Sequence, residues 1–300
     1  VVTIVLAMSV SRMVKVNTIV RKLPSVETLG AVNVVCSDKT GTLTQNKMTV
    51  TTFFMNGQLK GAGQLHPELH QELIRGMVLC NDGLLTYDSR IGDPTELALL
   101  DMADACGFQR EISGRQFLRM KEIPFDSERK MMSTFHKGEK GCVTYTKGAP
   151  DEIIRRCSSI LKDGKSIPLT ALHREAIREA QLSMSEKALR TLALARREGG
   201  SRPVEEQMTF VGMVGMKDPA RPEAAEAVLK FHNAGVATVM ITGDHVNTAF
   251  AIASQLGIVS HSSQCMTGEE LNRLSKEEFK RRLENTRVFA RVSPEHKVKI

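Results

Sequence analysis

Short apolar runs that end in polar loops recur near the start and near the end of the chain. They occupy residues 32–37, 210–215, 236–241 and 287–292. Continuous apolar runs of this length are typical of strands that are buried on both faces. Helical patterns separate the later runs, so we predict a doubly wound parallel sheet of the α/β class.

Helix start and stop residues support this interpretation of the last third. Pro222 lies in the first turn of an amphipathic segment that ends just before Gly235. A second helical segment, 247–256, ends before Gly257. Proline is favoured in the first turn of a helix and glycine just beyond its end, so both segments are predicted to be helices.

Between residues 49 and 209 the pattern changes to helices mixed with alternating strands. One helix is predicted to follow Asp93, a capping residue, and a longer one to occupy 170–187. Residues 130–136 and 142–147 alternate on either side of a glycine-containing turn, which predicts a β-hairpin. We therefore expect an inserted α+β domain that contains an antiparallel sheet.

The expected domain boundaries follow from these patterns. Residues 30–48 and 210–300 would form the parallel domain, and 49–209 would form the insert. Residues 1–10 are almost wholly apolar and are followed by basic residues, so 1–29 is predicted to be the end of a membrane helix and its stalk. A core strand is the alternative for this start, whereas a signal peptide fits less well because no basic segment precedes the apolar stretch.

Composition narrows the possible function classes. The 300 residues are 41% hydrophobic and carry a formal charge of +7, yet only 4% are aromatic and none is tryptophan. Stacking platforms for single-stranded nucleic acid are therefore not indicated, and no nucleic-acid partner is expected. The six cysteines include no Cys-x-x-Cys pair, which argues against a zinc site and against a disulfide framework.

Aspartates follow several of the predicted strands, and Asp38 has the most informative surroundings. Lys39, Gly41 and the neighbouring threonines offer charge, close backbone approach and hydroxyl groups to phosphate oxygens. Asp218 and Asp244 also follow apolar runs. Because ligands of open parallel sheets bind beyond the carboxyl ends of the strands, three carboxylates there suggest Mg²⁺ and phosphate. Ordinary turn or capping roles are the alternative for Asp218 and Asp244.

The segment 38–44 reads Asp-Lys-Thr-Gly-Thr-Leu-Thr and resembles the phosphorylation loop of P-type cation pumps. Residues 23–30 and 44–49 resemble the calcium-pump branch of that family, and the resemblance covers essentially the whole chain. It implies a haloacid-dehalogenase-like phosphorylation domain with an inserted nucleotide-binding domain. It also implies ATP and Mg²⁺ as cofactors and a membrane-embedded parent protein, with Ca²⁺ as the expected transported cation and these domains facing the cytoplasm.

Neither Gly-x-x-x-x-Gly-Lys-Ser/Thr nor Gly-x-Gly-x-x-Gly occurs in the sequence, so ATP must be held in another way. The resemblance implies a catalytic set composed of Asp38, Lys39, Thr40, Thr242, Gly243, Asp244 and Lys297. It places Mg²⁺ on Asp38 and on the carbonyl group of Thr40. It assigns further nucleotide and phosphate contacts to Glu96, Phe125, Arg129, Met132, Lys147, Gly148, Arg190, Asp218 and Arg291.

Several of these residues have an ordinary structural alternative. Phe125 follows a proline and would most often be a core residue. Lys147 and Arg190 would usually be solvated or capping charges, and Glu96 would be an acid in the first turn of a helix. Only the order of these residues relative to Asp38 favours a nucleotide site.

The implied reaction is in-line attack by Asp38 on the γ-phosphoryl group of Mg-ATP, which leaves an aspartyl phosphate. A phosphatase of the haloacid-dehalogenase type is an alternative from another class. Such phosphatases commonly carry a second aspartate two residues after the nucleophile, whereas this chain has Thr40, which cannot exchange a proton near neutral pH. A nucleotide-binding module without turnover is a third possibility, because the isolated chain is expected to be incomplete for turnover.

Overall fold

The computed structural model describes residues 2–15, 17–22, 24–86, 88–139 and 141–300. Residues 1, 16, 23, 87 and 140, and the parts of the predictions that fall on them, lie outside the described residues. The chain divides into two compact units. The first combines Val1–Thr44 with Ala220–Ile300, and the second is Gln45–Pro219.

Both units combine helices with strands. In chain order, the helices are α1 (Val2–Lys15), α2 (Pro24–Gly30), α3 (Gln71–Leu79), α4 (Pro94–Ala105), α5 (Arg110–Gln116), α6 (Pro150–Arg156), α7 (Ala171–Glu186), α8 (Pro222–Asn233), α9 (Val246–Gln255), α10 (Gly268–Arg273), α11 (Lys276–Leu283) and α12 (Pro294–Lys299). The strands are β1 (Val34–Asp38), β2 (Thr49–Met55), β3 (Gln58–Gly61), β4 (Leu84–Leu85), β5 (Arg90–Ile91), β6 (Leu118–Asp126), β7 (Met131–Gly138), β8 (Gly141–Gly148), β9 (Cys157–Lys162), β10 (Lys165–Pro168), β11 (Arg190–Glu198), β12 (Met208–Lys217), β13 (Ala237–Ile241), β14 (Cys265–Thr267) and β15 (Val288–Ala290).

The first unit contains a parallel sheet with the strand order β1-β13-β15-β14. Helices α8 and α9 pack into one core cluster through residues such as Val228 and Ile252, and α10 packs into a second cluster through Leu271. Gly235 and Gly257 follow α8 and α9, each with a φ of 74° that favours glycine. The predicted doubly wound sheet and its two helices are confirmed.

The second unit contains a larger, mainly antiparallel sheet with the order β10-β9-β12-β11-β8-β7-β6, to which β2 and β3 add beside β12. The predicted hairpin is confirmed as β7 and β8. Helix α4 begins after Asp93, whose side chain accepts a hydrogen bond from the Thr95 amide, and α7 corresponds to the helix predicted over 170–187. Helices α3 and α4 pack into one core cluster, and α6 and α7 pack into another.

One predicted strand lies in a different sheet from the one expected. Residues 210–215 belong to β12, which pairs antiparallel with β11 and β2 and, near its start, parallel with β9 in the second unit. The prediction that they form a strand of the parallel sheet is wrong. Strand β12 is buried along almost its whole length because it contributes to both core clusters of the second unit, and this burial produces the continuous apolar run. A continuous apolar run does not distinguish such a central antiparallel strand from a buried parallel one. Asp218 therefore follows a strand of the antiparallel sheet.

The apolar start of the chain forms the helix α1, so the alternative of a core strand is wrong. Ile4, Val5 and Met8 are 67%, 56% and 56% exposed on this helix. Among the described residues, none of the helices combines the length and the apolar character needed to cross a membrane. The assignment of residues 1–29 to a membrane helix and its stalk stays a prediction.

Candidate functional site

The first unit presents Asp38 at the carboxyl end of β1. The chain then turns sharply through Lys39–Leu43, where Gly41 has a φ of 75° that favours glycine. The hydroxyl group of Thr44 donates to the Lys39 carbonyl oxygen at 3.1 Å and accepts from the Gly41 amide at 3.4 Å. These bonds fix the backbone directly after Asp38.

Two ion pairs connect four of the predicted catalytic residues. The Nζ atom of Lys297 donates to a carboxylate oxygen of Asp38, and the Nζ atom of Lys39 donates to a carboxylate oxygen of Asp244. The hydrogen bond from Lys297 lowers the pKa of Asp38, and burial opposes this effect only in part. Asp38 is therefore held as a carboxylate, which is the form that can attack phosphorus.

The loop after β13 carries Asp244 and two further predicted residues, Thr242 and Gly243. Thr242 is almost fully buried, and its hydroxyl oxygen accepts a hydrogen bond from the Asp244 amide at 3.1 Å. The backbone amide of Arg291 donates to the Asp244 carbonyl oxygen at 2.9 Å. A Cβ atom at Gly243 would have no neighbour closer than 4.0 Å, so this part of the loop is open to a ligand.

The donor set at Asp38 fits the chemistry of Mg²⁺. This ion prefers oxygen ligands and needs only one or two carboxylates when substrate phosphates complete its coordination. The Asp38 side chain is 45% exposed, and the Thr40 carbonyl group follows in the turn. Within the part of the chain that the structure describes, no group of three or more His, Cys, Asp or Glu residues could hold a metal ion. Binding of Mg²⁺ therefore stays a prediction, and it depends on a phosphate ligand.

The second unit contains a cavity of about 300 Å³, at the lower end of the range for small-molecule sites. Most of the residues predicted to contact nucleotide line it, namely Glu96, Phe125, Met132, Lys147, Gly148 and Arg190. The remaining lining residues are Asp82, Gly92, Asp93, Thr95 and Leu192. The structure thus brings together residues that are distant in the sequence.

Lys147 provides a buried cation in this cavity and is only 3% exposed. Its Nζ atom lies 2.6 Å from the carboxylate of Glu96, in the first turn of α4. The same carboxylate accepts a hydrogen bond from the Asp82 amide at 3.0 Å. Because an unpaired buried charge is costly, the Glu96 carboxylate compensates the Lys147 side chain inside the cavity.

Phe125 contributes an aromatic ring to the cavity and is 63% exposed, so the alternative of a core residue is wrong. Gly148 lies next to Lys147 at a close approach of two backbone segments. A Cβ atom at this position would lie 2.4 Å from the Lys130 carbonyl oxygen and 2.6 Å from the Met131 Cβ atom. An exposed ring together with a buried ammonium group suits a ligand that has both a flat base and negative charge.

The family model for the P-type ATPase cytoplasmic domain N matches residues 70–223. This range is more than half of the chain and includes every residue that lines the cavity. The chain belongs to the P-type ATPase family.

Several relatives that match the whole of this P-type ATPase chain are named as calcium-transporting ATPases. Calcium-transporting ATPase 1 of Bacillus cereus is 47% identical over 100% of this chain and 35% of its own length. The calcium-transporting ATPase of Bacillus subtilis is 43% identical, with 100% and 37% covered. Calcium-transporting ATPase type 2C member 1 of Homo sapiens is 38% identical, with 100% and 34% covered. The chain spans about a third of the length of these relatives, and the predicted family membership is confirmed.

Three residues predicted to contact nucleotide or phosphate in this P-type ATPase chain lie outside the lining of the cavity, namely Arg129, Asp218 and Arg291. Arg291 belongs to the first unit. One nitrogen of the Arg129 guanidinium lies 2.6 Å from each carboxylate oxygen of Glu205. Asp218 accepts a hydrogen bond from the Lys47 amide at 3.1 Å in the second unit. The predicted position of Asp218 at the edge of the parallel sheet is wrong, and its contact with phosphate stays a prediction.

Sequence reasoning missed Asp93 and Thr95 as cavity residues, although it identified Asp93 as a helix cap. Burial alone would raise the pKa of Asp93, but hydrogen bonds from Thr95 and the positive charges of Arg190 and Lys147 lower it. Asp93 is therefore a carboxylate that lies near two cations of this P-type ATPase. Its position just before Glu96 in the same helical turn was the signal that could have revealed it.

Proposed function

We propose that this chain is the ATP-handling portion of a calcium-transporting P-type ATPase. The first unit acts as the phosphorylation domain and the second as the nucleotide-binding domain, and Asp38 receives the γ-phosphoryl group of ATP. One observation carries the proposal: the Asp38 carboxylate ends a parallel strand, pairs with Lys297 and precedes the turn at Gly41.

In the proposed reaction, a carboxylate oxygen of Asp38 attacks the γ-phosphorus in line with the leaving oxygen of ADP. A bond forms between Asp38 and phosphorus while the bond from phosphorus to ADP breaks, and ADP keeps the electron pair. The ammonium group of Lys297 and the backbone of Gly243 stabilise the negative charge of the transferred group. When bound to Asp38 and the Thr40 carbonyl, Mg²⁺ would neutralise charge on the phosphate oxygens.

The cavity of the second unit binds the nucleotide in this proposal. The ring of Phe125 stacks on adenine, and Met132 forms part of the apolar wall. Lys147 and Arg190 supply positive charge for the negatively charged ligand. Two observations support this role. Most of the residues predicted to contact nucleotide line the same cavity, and the cavity lies within the range matched by domain N.

The activity of the whole protein is proposed from the names of its relatives. Their description as calcium-transporting ATPases supports a membrane-embedded parent protein that hydrolyses ATP to move Ca²⁺. In that protein, residues 1–29 would belong to a membrane helix and its stalk, and the two units would face the cytoplasm. The cytoplasmic side is favoured by the basic residues that follow α1.

Acid quenching after incubation with γ-³²P-labelled ATP and Mg²⁺ tests the proposal. The proposed parent pump should acquire an acid-stable, hydroxylamine-labile label, and the variant D38N should lack it. A matched control is D163N, which changes an exposed turn aspartate of the second unit and should leave the label intact. Release of free phosphate without label would support the phosphatase, and nucleotide binding without either would indicate a binding module. Both results would contradict a stable phosphoryl group on Asp38.

A further inference from the structure

Glu205 lies outside the cavity of the second unit but is linked to it through side chains. Its side chain is 15% exposed. Each of its carboxylate oxygens lies 2.6 Å from the same guanidinium nitrogen of Arg129. The hydroxyl of Ser133 donates to the same carboxylate at 2.7 Å. The oxygen atoms of Ser133 and Thr146 lie 2.8 Å apart, and both of these residues are fully buried.

This hydrogen-bonded chain ends at two residues that neighbour the cavity lining. At one end, a second nitrogen of Arg129 donates to the Pro124 carbonyl oxygen at 2.7 Å, directly before Phe125. At the other end, Thr146 directly precedes Lys147 on β8. The chain therefore connects the backbone that carries the exposed ring to the strand that carries the buried ammonium group.

The support for Phe125 is uneven. On its far side, the Asp126 carboxylate accepts hydrogen bonds from the Glu128 and Arg129 amides at 3.0 and 2.8 Å, whereas the side of Pro124 is weakly held. The Phe125 ring is 63% exposed, and β6 is an edge strand whose pairing with β7 is irregular between Ile123 and Asp126. Pro124 has no amide hydrogen and so cannot donate to a neighbouring strand. The Arg129 contact with the Pro124 carbonyl is therefore important for the backbone position of Phe125, and Glu205 orients Arg129 by a charge-assisted contact.

We propose that Glu205 is a positioning residue for nucleotide binding, which it supports through Arg129 by holding Phe125 at a fixed distance from Lys147. This inference rests on the proposed function of the cavity. Glu205 touches no ligand in this role. This role also explains why Arg129 does not line the cavity. The Arg129 guanidinium group contacts the Pro124 carbonyl oxygen and the Glu205 carboxylate instead.

A double-mutant cycle on the 300-residue chain tests the proposal. ATP affinity is measured by calorimetry for the unmodified 300-residue chain, for E205A, for F125L and for the double variant. If Glu205 acts through the ring, E205A should weaken ATP binding by about fivefold and should have no further effect beside F125L. The matched control E206A removes the adjacent, exposed carboxylate and should leave the affinity unchanged. Independent, multiplying effects of E205A and F125L, or unchanged affinity in E205A, would overturn the proposal.

Hydrogen exchange in the nucleotide-free chain provides a second measurement. The amides of residues 125–130 should exchange faster in E205A than in the unmodified chain or in E206A, while the amides of α3 and α4 should be unchanged. Unchanged exchange in 125–130 would overturn the proposal even if ATP bound. A parent chain that fails to bind ATP would instead contradict the proposed function, and hydrogen exchange would still report whether Glu205 holds the turn.

Discussion

The Nζ atom of Lys147 lies 2.6 Å from the carboxylate of Glu96 inside the cavity of the second unit. Lys147 is almost completely removed from solvent. This pair combines two requirements that conflict in an apolar interior, because the cavity needs a cation for its ligand and the fold cannot bury an unpaired charge.

Replacing Glu96 by glutamine should destabilise the chain. The amide can still accept a hydrogen bond, but it no longer neutralises the buried ammonium group, so we expect a loss of about 1–3 kcal/mol in the free energy of unfolding. Urea unfolding followed by circular dichroism measures this loss. The control E175Q changes a mostly exposed glutamate of α7 that pairs with Arg178 at 3.4 Å, and it should cost less than about 0.5 kcal/mol. Equal effects of the two variants would contradict the role assigned to Glu96.

Replacing Phe125 by alanine should weaken ATP binding without unfolding the chain. Stacking of a base on an aromatic ring contributes about 1–3 kcal/mol, so the dissociation constant should rise by roughly five- to a hundredfold. The free energy of unfolding should change little because the ring is mostly exposed. Calorimetric titration with ATP measures the affinity. The control L118A removes another exposed apolar side chain of β6, and a similar loss of affinity there would argue against stacking.

Replacing Gly148 by alanine should strain the contact between β7 and β8. The added Cβ atom would meet the Lys130 carbonyl oxygen at 2.4 Å, which requires a backbone shift. We expect a loss of about 1–3 kcal/mol in stability, together with weaker ATP binding because Lys147 is adjacent. The matched control is G114A in α5, where an added Cβ meets nothing within 4 Å. G114A should be neutral or slightly stabilising, and a neutral G148A would contradict the close approach.

His136 should make the stability of the chain depend on pH. Burial lowers its pKa from 6.5 to about 4, and a hydrogen bond to the Phe117 carbonyl opposes this only in part. Between these values the unfolded chain binds a proton that the folded chain does not. The stabilisation is therefore present above pH 6.5 and is lost as the pH falls towards 4, by about 1.5–2 kcal/mol between pH 7 and pH 5.

Urea unfolding of H136Q at pH 7 and at pH 5 checks this dependence. The difference in unfolding free energy between the two pH values should be smaller in H136Q than in the parent chain by about 1.5–2 kcal/mol. The control H232Q changes an exposed histidine at the end of α8 and should keep the parent's pH dependence. An H136Q variant with the same pH dependence as the parent would show that His136 is not buried as a neutral group.

The sequence predicted local structure more reliably than the pairing of distant elements. The ends of α8 and α9 and the β7–β8 hairpin follow from proline, glycine and alternation, which act within a few residues. The position of β12 does not, because its apolar run is the same whether its neighbours are parallel or antiparallel. Tertiary contacts determine the sheet to which β12 belongs.

The candidate site shows the same limit. The turn at Asp38 could be predicted because its residues are consecutive, and most of the cavity lining was predicted from the resemblance. The partner of Arg129 could not be predicted, since Glu205 is 76 positions further along the chain and lies in a loop with no pattern of its own. Ion pairs across such distances depend on how the strands are ordered in the sheet.

The proposed function requires that Asp38 accepts and keeps a phosphoryl group. Borohydride reduces an acyl phosphate to an alcohol, so reduction of the ATP-treated parent pump, followed by proteolysis and mass spectrometry, locates the modified residue. We predict homoserine at position 38, dependent on ATP and Mg²⁺ and absent without ATP. Homoserine at another aspartate, or an unmodified Asp38 in a pump that hydrolyses ATP, would contradict the account.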